Sequence, residues 1–194
     1  MFKINGSVFP YTTMAREPSW AVAMMPSSLS FELTAVGGPP SAAQLQRLPF
    51  VYSIRTMMID DYDSVIGMMK QTPGVTFRDA DSRESTAMYL DRNPELSFVA
   101  IAEKKLVGCI MSGHDGRRGY LQHLVVHSEF RRHGIANSLV ERCLTALEKL
   151  GIRKSHIDVL KSNDTGAAYW ESQGWKLRTD IHRYSFVQSG GNNV

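Results

Sequence analysis

The segment from Leu124 to Ser138 limits the fold and chemistry of this chain more than any other. Its sequence is LVVHSEFRRHGIANS, in which an apolar strand predicted over Tyr120–His127 runs into a basic turn. A long amphipathic helix is predicted to follow over Ile135–Leu150, because its apolar residues recur on one helical face. Small residues at Gly134 and Ala136 let a ligand approach the backbone of the first helical turn. Free N–H groups at such a helix N-terminus bind phosphate, so the segment predicts a phosphate-binding turn.

Two arginines in this turn, Arg131 and Arg132, add charge-assisted hydrogen-bond donors for an anion. The turn matches neither GxxxxGK[ST] nor GxGxxG, so neither a Walker A loop nor a dinucleotide-binding loop is predicted. Seen alone, a basic turn before a helix is most often a solvated helix start. A second motif is therefore needed to decide between the two interpretations.

That second motif is the block from Asn163 to Trp175, with the sequence NDTGAAYWESQGW. The Arg-x-x-Gly-x-Ala that begins at Arg131 resembles the pyrophosphate loop of the GNAT acetyltransferase superfamily. The block resembles the asparagine, aromatic and glycine–aromatic motif of the same superfamily, and the overall resemblance extends from Tyr52 to Phe186. The chain is similar in particular to a small bacterial single-domain branch, which implies an acyltransferase that uses acetyl-CoA.

The order of the predicted elements agrees with such a fold. Meandering strands followed by a strand–helix–strand crossover predict an α/β (α+β) domain with a mixed, mostly antiparallel sheet and helices on both faces. Six to seven strands are expected, and the resemblance implies that a central parallel pair splays apart. The predicted strands are 51–57, 97–102, 106–113, 120–127, 155–160, 175–179 and 182–187, and the predicted helices are 60–71, 81–92, 135–150 and 165–173.

The resemblance also implies how the cofactor is held. The backbone of Leu124–Val126 would pair with the pantetheine arm, and the N–H groups of Arg132–Asn137 would hold the pyrophosphate. The Val126 N–H would stabilise the oxyanion of the tetrahedral intermediate. The implied acetyl-CoA-binding residues are Leu124, Val125, Val126, Arg131, Arg132, His133, Gly134, Ile135, Ala136, Asn137, Ser138, Asn163 and Trp170.

The catalytic positions depart from the family pattern. Relatives often carry a Glu or His base where this chain has Gln122 and Tyr120. Proton removal through ordered water, positioned by Tyr120 or Gln122, is therefore expected. Strand alternation predicts that the neighbouring His123 faces the opposite side. Trp170 occupies the position where the family has its tyrosine acid. Tyr169 is the residue before it, and on a helix its side chain would point about 100° away from that of Trp170. The expected catalytic residues are Tyr120, Gln122 and Tyr169.

Composition limits the other classes of function. The net charge of +3 is only mildly basic, so no nucleic-acid partner is predicted. Cys109 and Cys143 lie far apart without finger spacing, and His123 and His127 would stand about 13 Å apart on a strand, so no metal is expected. No apolar run is long enough to span a membrane or to form a secretory signal core, which predicts a cytoplasmic protein.

The distribution of proline and charge predicts the domain limits. Residues 1–49 hold six of the eight prolines and only five charged residues, which predicts a weakly structured or partner-docking extension. One acetyltransferase domain is expected over 50–188, followed by a frayed tail over 189–194.

We therefore expect an N-acetyltransferase that moves an acetyl group from acetyl-CoA directly to a primary amine of a small molecule or peptide. A homodimer is left open. The first rival is a non-catalytic acyl-CoA-binding or regulatory protein on the same fold, since the usual base and acid are missing. The second is a nucleic-acid-binding domain. Acetyl-CoA turnover with a panel of amines would distinguish the enzyme from the first rival, and salt-dependent binding to DNA or RNA would identify the second.

Overall fold

The computed structural model describes residues 50–186 and residue 188, so the predictions for residues 1–49 and 189–194 lie outside the described residues. The described chain forms one five-stranded sheet in which the strands lie in chain order. The strands are β1 (Ser53–Thr56), β2 (Phe98–Ala102), β3 (Lys105–His114), β4 (Gly119–Val126) and β5 (Ser155–Ile157). The helices are α1 (Tyr62–Lys70), α2 (Arg83–Arg92), α3 (Ile135–Lys149) and α4 (Asp164–Ser172). Single 3₁₀ turns cover Ile59–Asp61, Asp79–Asp81 and Ser128–Phe130.

Helices cover both faces of the sheet, as predicted. On one face α3 contributes Ile135, Leu139 and Leu147, each at most 1% exposed, to a cluster that includes Ile110 of β3. On the other face α1 packs Met69 and its neighbours against β2, β3 and β4. Burial on both sides explains why the β2 sequence is an almost unbroken apolar run.

The strands pair antiparallel except for β4 and β5, which form the predicted parallel pair. Since β5 is the last strand of the described sheet, this pair lies at the edge of that sheet, whereas a central pair was expected. Their ladder has only three register pairs, from Gly119 opposite Ser155 to Leu121 opposite Ile157. A Cβ on Gly119 would lie 2.6 Å from the Ser155 Oγ, so close contact at this seam requires glycine. Beyond the third pair β4 continues to Val126 while the chain after β5 leaves the sheet. The two strands therefore separate toward their carboxyl ends.

The prediction of six to seven strands is not confirmed. Residues 175–186, expected to form two final strands, contain none, and β5 ends at Ile157 where a strand to Leu160 was expected. Polar and apolar residues largely alternate over residues 175–186 as in a strand, but this alternation does not by itself provide a neighbouring strand to pair with. Trp175 packs against the core, but the later apolar side chains of residues 175–186 lie in solvent, with Leu177 79%, Tyr184 88% and Phe186 90% exposed.

Candidate active site

A large cleft begins where β4 and β5 separate. It has a volume of about 1450 Å³ and is lined by β4, the N-terminus of α3, the segment 156–173, the loop 72–81 and Arg183. The cleft brings together most of the residues predicted from the sequence. These are Tyr120, Gln122, Leu124, Val125, Val126, Arg131, Arg132, Gly134, Ile135, Ala136, Asn137, Asn163, Tyr169 and Trp170.

The N-terminus of α3 forms one end of this cleft. Gly134 is its N-cap, with φ of 79°, a left-handed conformation that favours glycine. The first helical hydrogen bond runs from the Ser138 N–H to the Gly134 carbonyl, at 3.1 Å. The N–H groups of Ile135, Ala136 and Asn137 come before that bond, so the helix itself gives them no acceptor. The backbone therefore presents three N–H groups without a helical acceptor at this end of the cleft.

The last residue of β4 turns its backbone toward the gap between the strands. The N–H of the next residue, His127, donates to the Val107 carbonyl of β3 at 2.9 Å. Because neighbouring residues of a strand point their backbone groups to opposite sides, the Val126 N–H and C=O face away from β3. The Arg131 Nε donates to the Val126 carbonyl at 3.0 Å and fixes this guanidinium beside the strand end.

Two residues predicted to bind the cofactor do not line the cleft. The ring of His133 stacks on Phe50 with a centroid distance of 4.3 Å. The Ser138 Oγ shares a 2.9 Å hydrogen bond with the Tyr52 hydroxyl. Both side chains thus contact residues near β1, and the Ser138 N–H is already bonded to the Gly134 carbonyl.

The connection between β5 and α4 forms another wall of the cleft. The Asn163 Oδ1 caps α4 by accepting from the Gly166 N–H at 2.9 Å, so this oxygen has a structural partner. The Tyr169 hydroxyl donates to the Asn137 Oδ1 at 3.0 Å and links α4 to the start of α3. Burial raises the pKa of Tyr169, which keeps the phenol a neutral donor. Trp170 is only 7% exposed and lies in the core.

The strand β4 carries a bulge that the sequence analysis missed. Gln122 lies opposite Met111 and Val125 opposite Cys109, so two residues of β4, His123 and Leu124, face one residue of β3. His123 has φ of 51°. The alternation on which its predicted direction depended is broken, and that prediction is wrong: His123 lines the cleft together with Gln122.

The imidazole of His123 pairs with a carboxylate from the turn before α2. The His123 Nε2 lies 2.7 Å from the Asp81 Oδ1, and the side chains are only 19% and 14% exposed. Burial raises the pKa of Asp81, but the hydrogen bonds from His123 and from the Arg78 N–H outweigh it, and the net shift is downward. The Tyr62 hydroxyl donates to the Asp81 carbonyl at 2.9 Å and steadies the turn. Asp81 was expected at the start of a helix and was not considered a site residue.

A smaller cavity of about 540 Å³ adjoins the cleft. Asp81 and Gln122 line both spaces, so they stand at the junction. The remaining lining residues combine polar and apolar side chains: Asp79, Ala80, Ser85, Thr86, Tyr89 and Met111.

Tyr120, the other predicted water-positioning residue, lies two positions before Gln122, near the start of β4. Its hydroxyl donates to the Asp115 Oδ2 at 3.1 Å, and this bond raises the pKa of Tyr120. The hydroxyl is therefore engaged at the start of β4.

Neither a metal-binding cluster nor a membrane-spanning helix is present in the part of the chain that the structure describes. Residues 50–186 hold no cluster of three or more His, Cys, Asp or Glu side chains suited to a metal ion. None of their helices has both the length and the apolar character needed to cross a membrane.

Comparison with known proteins identifies the family. The model of the acetyltransferase (GNAT) family matches residues 62–175, which include the cleft-lining part of β4, α3 and α4. The chain belongs to the GNAT acetyltransferase family. It is therefore an acyltransferase, as the sequence motifs predicted.

Curated relatives and solved structures agree with this assignment. An acetyltransferase of Photorhabdus laumondii is 36% identical over 140 residues, covering 70% of this chain and 92% of the relative. An acetyltransferase of Pectobacterium atrosepticum is 33% identical over 118 residues, covering 61% and 83%. The fold is similar to that of the PaiA N-acetyltransferase from Thermoplasma acidophilum, solved in complex with coenzyme A. That structure has a TM-score of 0.60 and 20% identity, covering 66% of this chain and 91% of that one.

Proposed function

We propose that this GNAT protein transfers the acetyl group of acetyl-CoA directly to a primary amine. The observation that carries the proposal is the continuity of one cleft from the N-terminus of α3, past the separated ends of β4 and β5, to the His123–Asp81 pair. One end suits a pyrophosphate and the other suits a nucleophile that must lose a proton.

The donor end is suited to acetyl-CoA through backbone groups. The N–H groups of Ile135–Asn137, with the positive end of the helix dipole, would hold the pyrophosphate, and Arg132 would add its guanidinium. The backbone of Val126 faces the gap and would pair with the pantetheine arm as an added strand does. The predicted contacts from Asn163 and Trp170 remain part of this proposal.

Chemistry would take place beside the end of β4. The amine nitrogen attacks the thioester carbonyl carbon, the oxyanion accepts a hydrogen bond from the Val126 N–H, and the C–S bond then breaks. The thiolate of CoA is a tolerable leaving group because thiol pKa values lie near 8.5. The neutral Tyr169 hydroxyl is the predicted proton donor to this thiolate.

The acceptor would enter through the smaller cavity. Its junction with the cleft carries Asp81 and its wall carries Asp79, which favour a cationic amine over an anionic substrate. Gln122 at the junction would position the amine or a water molecule. A small metabolite amine or a peptide N-terminus would meet these requirements. The cytoplasmic location and the homodimer stay predictions.

The test is binding and turnover measured separately. Calorimetry measures acetyl-CoA affinity, and a thiol reagent measures CoA release with L-lysine, spermidine, tyramine and a peptide with a free N-terminus. The protein's own thiols, Cys109 and Cys143, are buried and give little background. We expect saturable acetyl-CoA binding and amine-dependent CoA release.

Tight acetyl-CoA binding without release for any amine would instead favour the non-catalytic rival. Salt-dependent binding to DNA or RNA without acetyl-CoA affinity would favour the nucleic-acid rival.

A further inference from the structure

We propose that His123 is the proton acceptor for the amine and that Asp81 is its positioning residue. The inference rests on the proposed function and deepens it, because it replaces the water-mediated route expected from Tyr120 and Gln122 with a side chain of this chain.

The hydrogen bond between the two side chains decides which nitrogen is available. An ionised carboxylate only accepts hydrogen bonds, so the Nε2 of His123, at 2.7 Å from the Asp81 Oδ1, carries the proton. In the neutral imidazole the Nδ1 is then the acceptor. Across residues 50–186, the Nδ1 of His123 has no hydrogen-bond partner. An unengaged basic nitrogen on a side chain that lines the cleft is the feature that a general base requires.

Hydrogen bonds hold both members of the His123–Asp81 pair in place. The bulge rotates His123 into the cleft, and the Cys109 Sγ on β3 donates to its carbonyl at 3.5 Å. The turn at Asp81 is fixed by the Arg78 N–H, which donates to the Asp81 Oδ2 at 2.8 Å. The Tyr62 hydroxyl holds the same turn through the Asp81 carbonyl. The ring is thus oriented before any substrate binds.

The charged and titratable groups around His123 suit the formation of an imidazolium. Asp81 and Arg78 approach from the loop before α2, Cys109 from β3 and Tyr62 from α1. Asp81 makes the direct contact with the ring, and its lowered pKa keeps it ionised at neutral pH. A negative charge in a largely buried pair stabilises the positive charge that the ring gains.

The step balances in atoms and charge. The ammonium form of the substrate loses one proton to the Nδ1 of His123, and its lone pair forms the N–C bond to the acetyl carbon. As the C–S bond breaks, its electron pair leaves with the CoA sulfur, and the nitrogen gives up a second proton. That proton reaches the CoA thiolate through water or through the Tyr169 hydroxyl, so the products are the amide, CoA with a free thiol and the proton held by His123. The proton on His123 passes to solvent before the next turnover.

The experiment measures kcat/KM against pH for wild type, His123→Gln and Asp81→Asn, using the amine of the panel that wild type acetylates fastest. We expect His123→Gln to lower kcat/KM at pH 7 by about 100-fold or more, the effect typical of a lost general base. Its deficit should shrink as the pH approaches the amine's own pKa, near 10.4 for an alkyl amine and near 8 for a peptide N-terminus, because the solution then deprotonates the substrate. Asp81→Asn should lower kcat, because its amide carries no charge, and should leave acetyl-CoA affinity unchanged.

Controls separate chemistry from folding. His182→Gln alters an exposed histidine that lines neither cavity and should match wild type. If His123→Gln fails to fold, Asp81→Asn serves as the test, and a wild-type pH profile for it overturns the proposal. A threefold or smaller loss in His123→Gln, or a deficit that stays constant from pH 7 to pH 10, also overturns it. If the wild-type protein binds acetyl-CoA but acetylates no amine of the panel, the proposed function itself is overturned.

Discussion

Replacing Gly134 by glutamate tests the proposed pyrophosphate site most directly. A Cβ at this position would meet only the Tyr52 hydroxyl among the described residues, at 3.7 Å, which is an ordinary van der Waals contact. The φ of 79° nevertheless places any other residue in the left-handed region, at a cost of about 1–2 kcal/mol. For a domain of this size that corresponds to a melting temperature lower by about 2–8 °C.

The effect on acetyl-CoA should be larger than the effect on stability. A carboxylate about 5 Å from one phosphate charge costs about 3 kcal/mol at an effective dielectric constant of 20. This is a rise in Kd of more than about 100-fold. Gly134→Ala carries the same backbone strain without the charge, so its Kd should rise much less.

Gly151 offers a matched control at the opposite end of α3. Its φ is also 79°, and a Cβ there would meet no atom within 4 Å among the described residues. The helix has 15 residues, so this position lies about 22 Å from the proposed anion site. Gly151→Glu should lose similar stability and keep its acetyl-CoA affinity.

The assay is calorimetric titration with acetyl-CoA beside thermal unfolding without ligand, for all three variants and wild type. Equal acetyl-CoA affinity for Gly134→Glu and Gly151→Glu would refute the assignment of the α3 N-terminus as the pyrophosphate site.

Three further predictions follow from the structure. Tyr169→Phe breaks the bond to Asn137 and should lower kcat by no more than about tenfold, below the loss for a true acid catalyst; a thousandfold loss would make Tyr169 the acid. The hydrogen bond from Arg55 lowers the pKa of Asp61 in the folded protein. The ionised Asp61 therefore stabilises the fold fully above about pH 4, and this contribution is lost as the pH falls through the native pKa. Denaturant unfolding should therefore show Asp61→Asn less stable than wild type at pH 7 and equal to it in acid; a constant difference would contradict this. Burial raises the pKa of Cys109 and Cys143 to about 12, so a thiol reagent at pH 8 should label neither until the protein unfolds.

Local patterning explains which elements the sequence predicts well. The helix expected over residues 135–150 is observed over Ile135–Lys149, because its apolar stripe has a helical period and glycines stand at both ends. The donor end of the cleft depends mainly on the backbone of this helix. Its motif could therefore be recognised from a few neighbouring residues.

The acceptor end could not be predicted in the same way. The direction of His123 depends on how β4 pairs with β3, and nothing in the residue types around it indicates a bulge. Asp81 lies 42 positions before His123, so only the packed loop reveals their pairing. Ser82 is a local signal near Asp81: its side chain caps α2 by accepting from the Ser85 N–H, which places Asp81 in the preceding turn.

The short parallel ladder between β4 and β5 has a consequence for amide hydrogen exchange. Only three register pairs hold the strands together, and the β4 backbone beyond Leu121 lacks a neighbour on that side within the described sheet. A pantetheine arm that lies in the gap would provide the acceptors that a longer β5 would otherwise supply. Slowed exchange on acetyl-CoA binding should therefore concentrate at Val126 and the first turn of α3. Amides in the middle of β2 and β3, already paired on both sides, should exchange at unchanged rates.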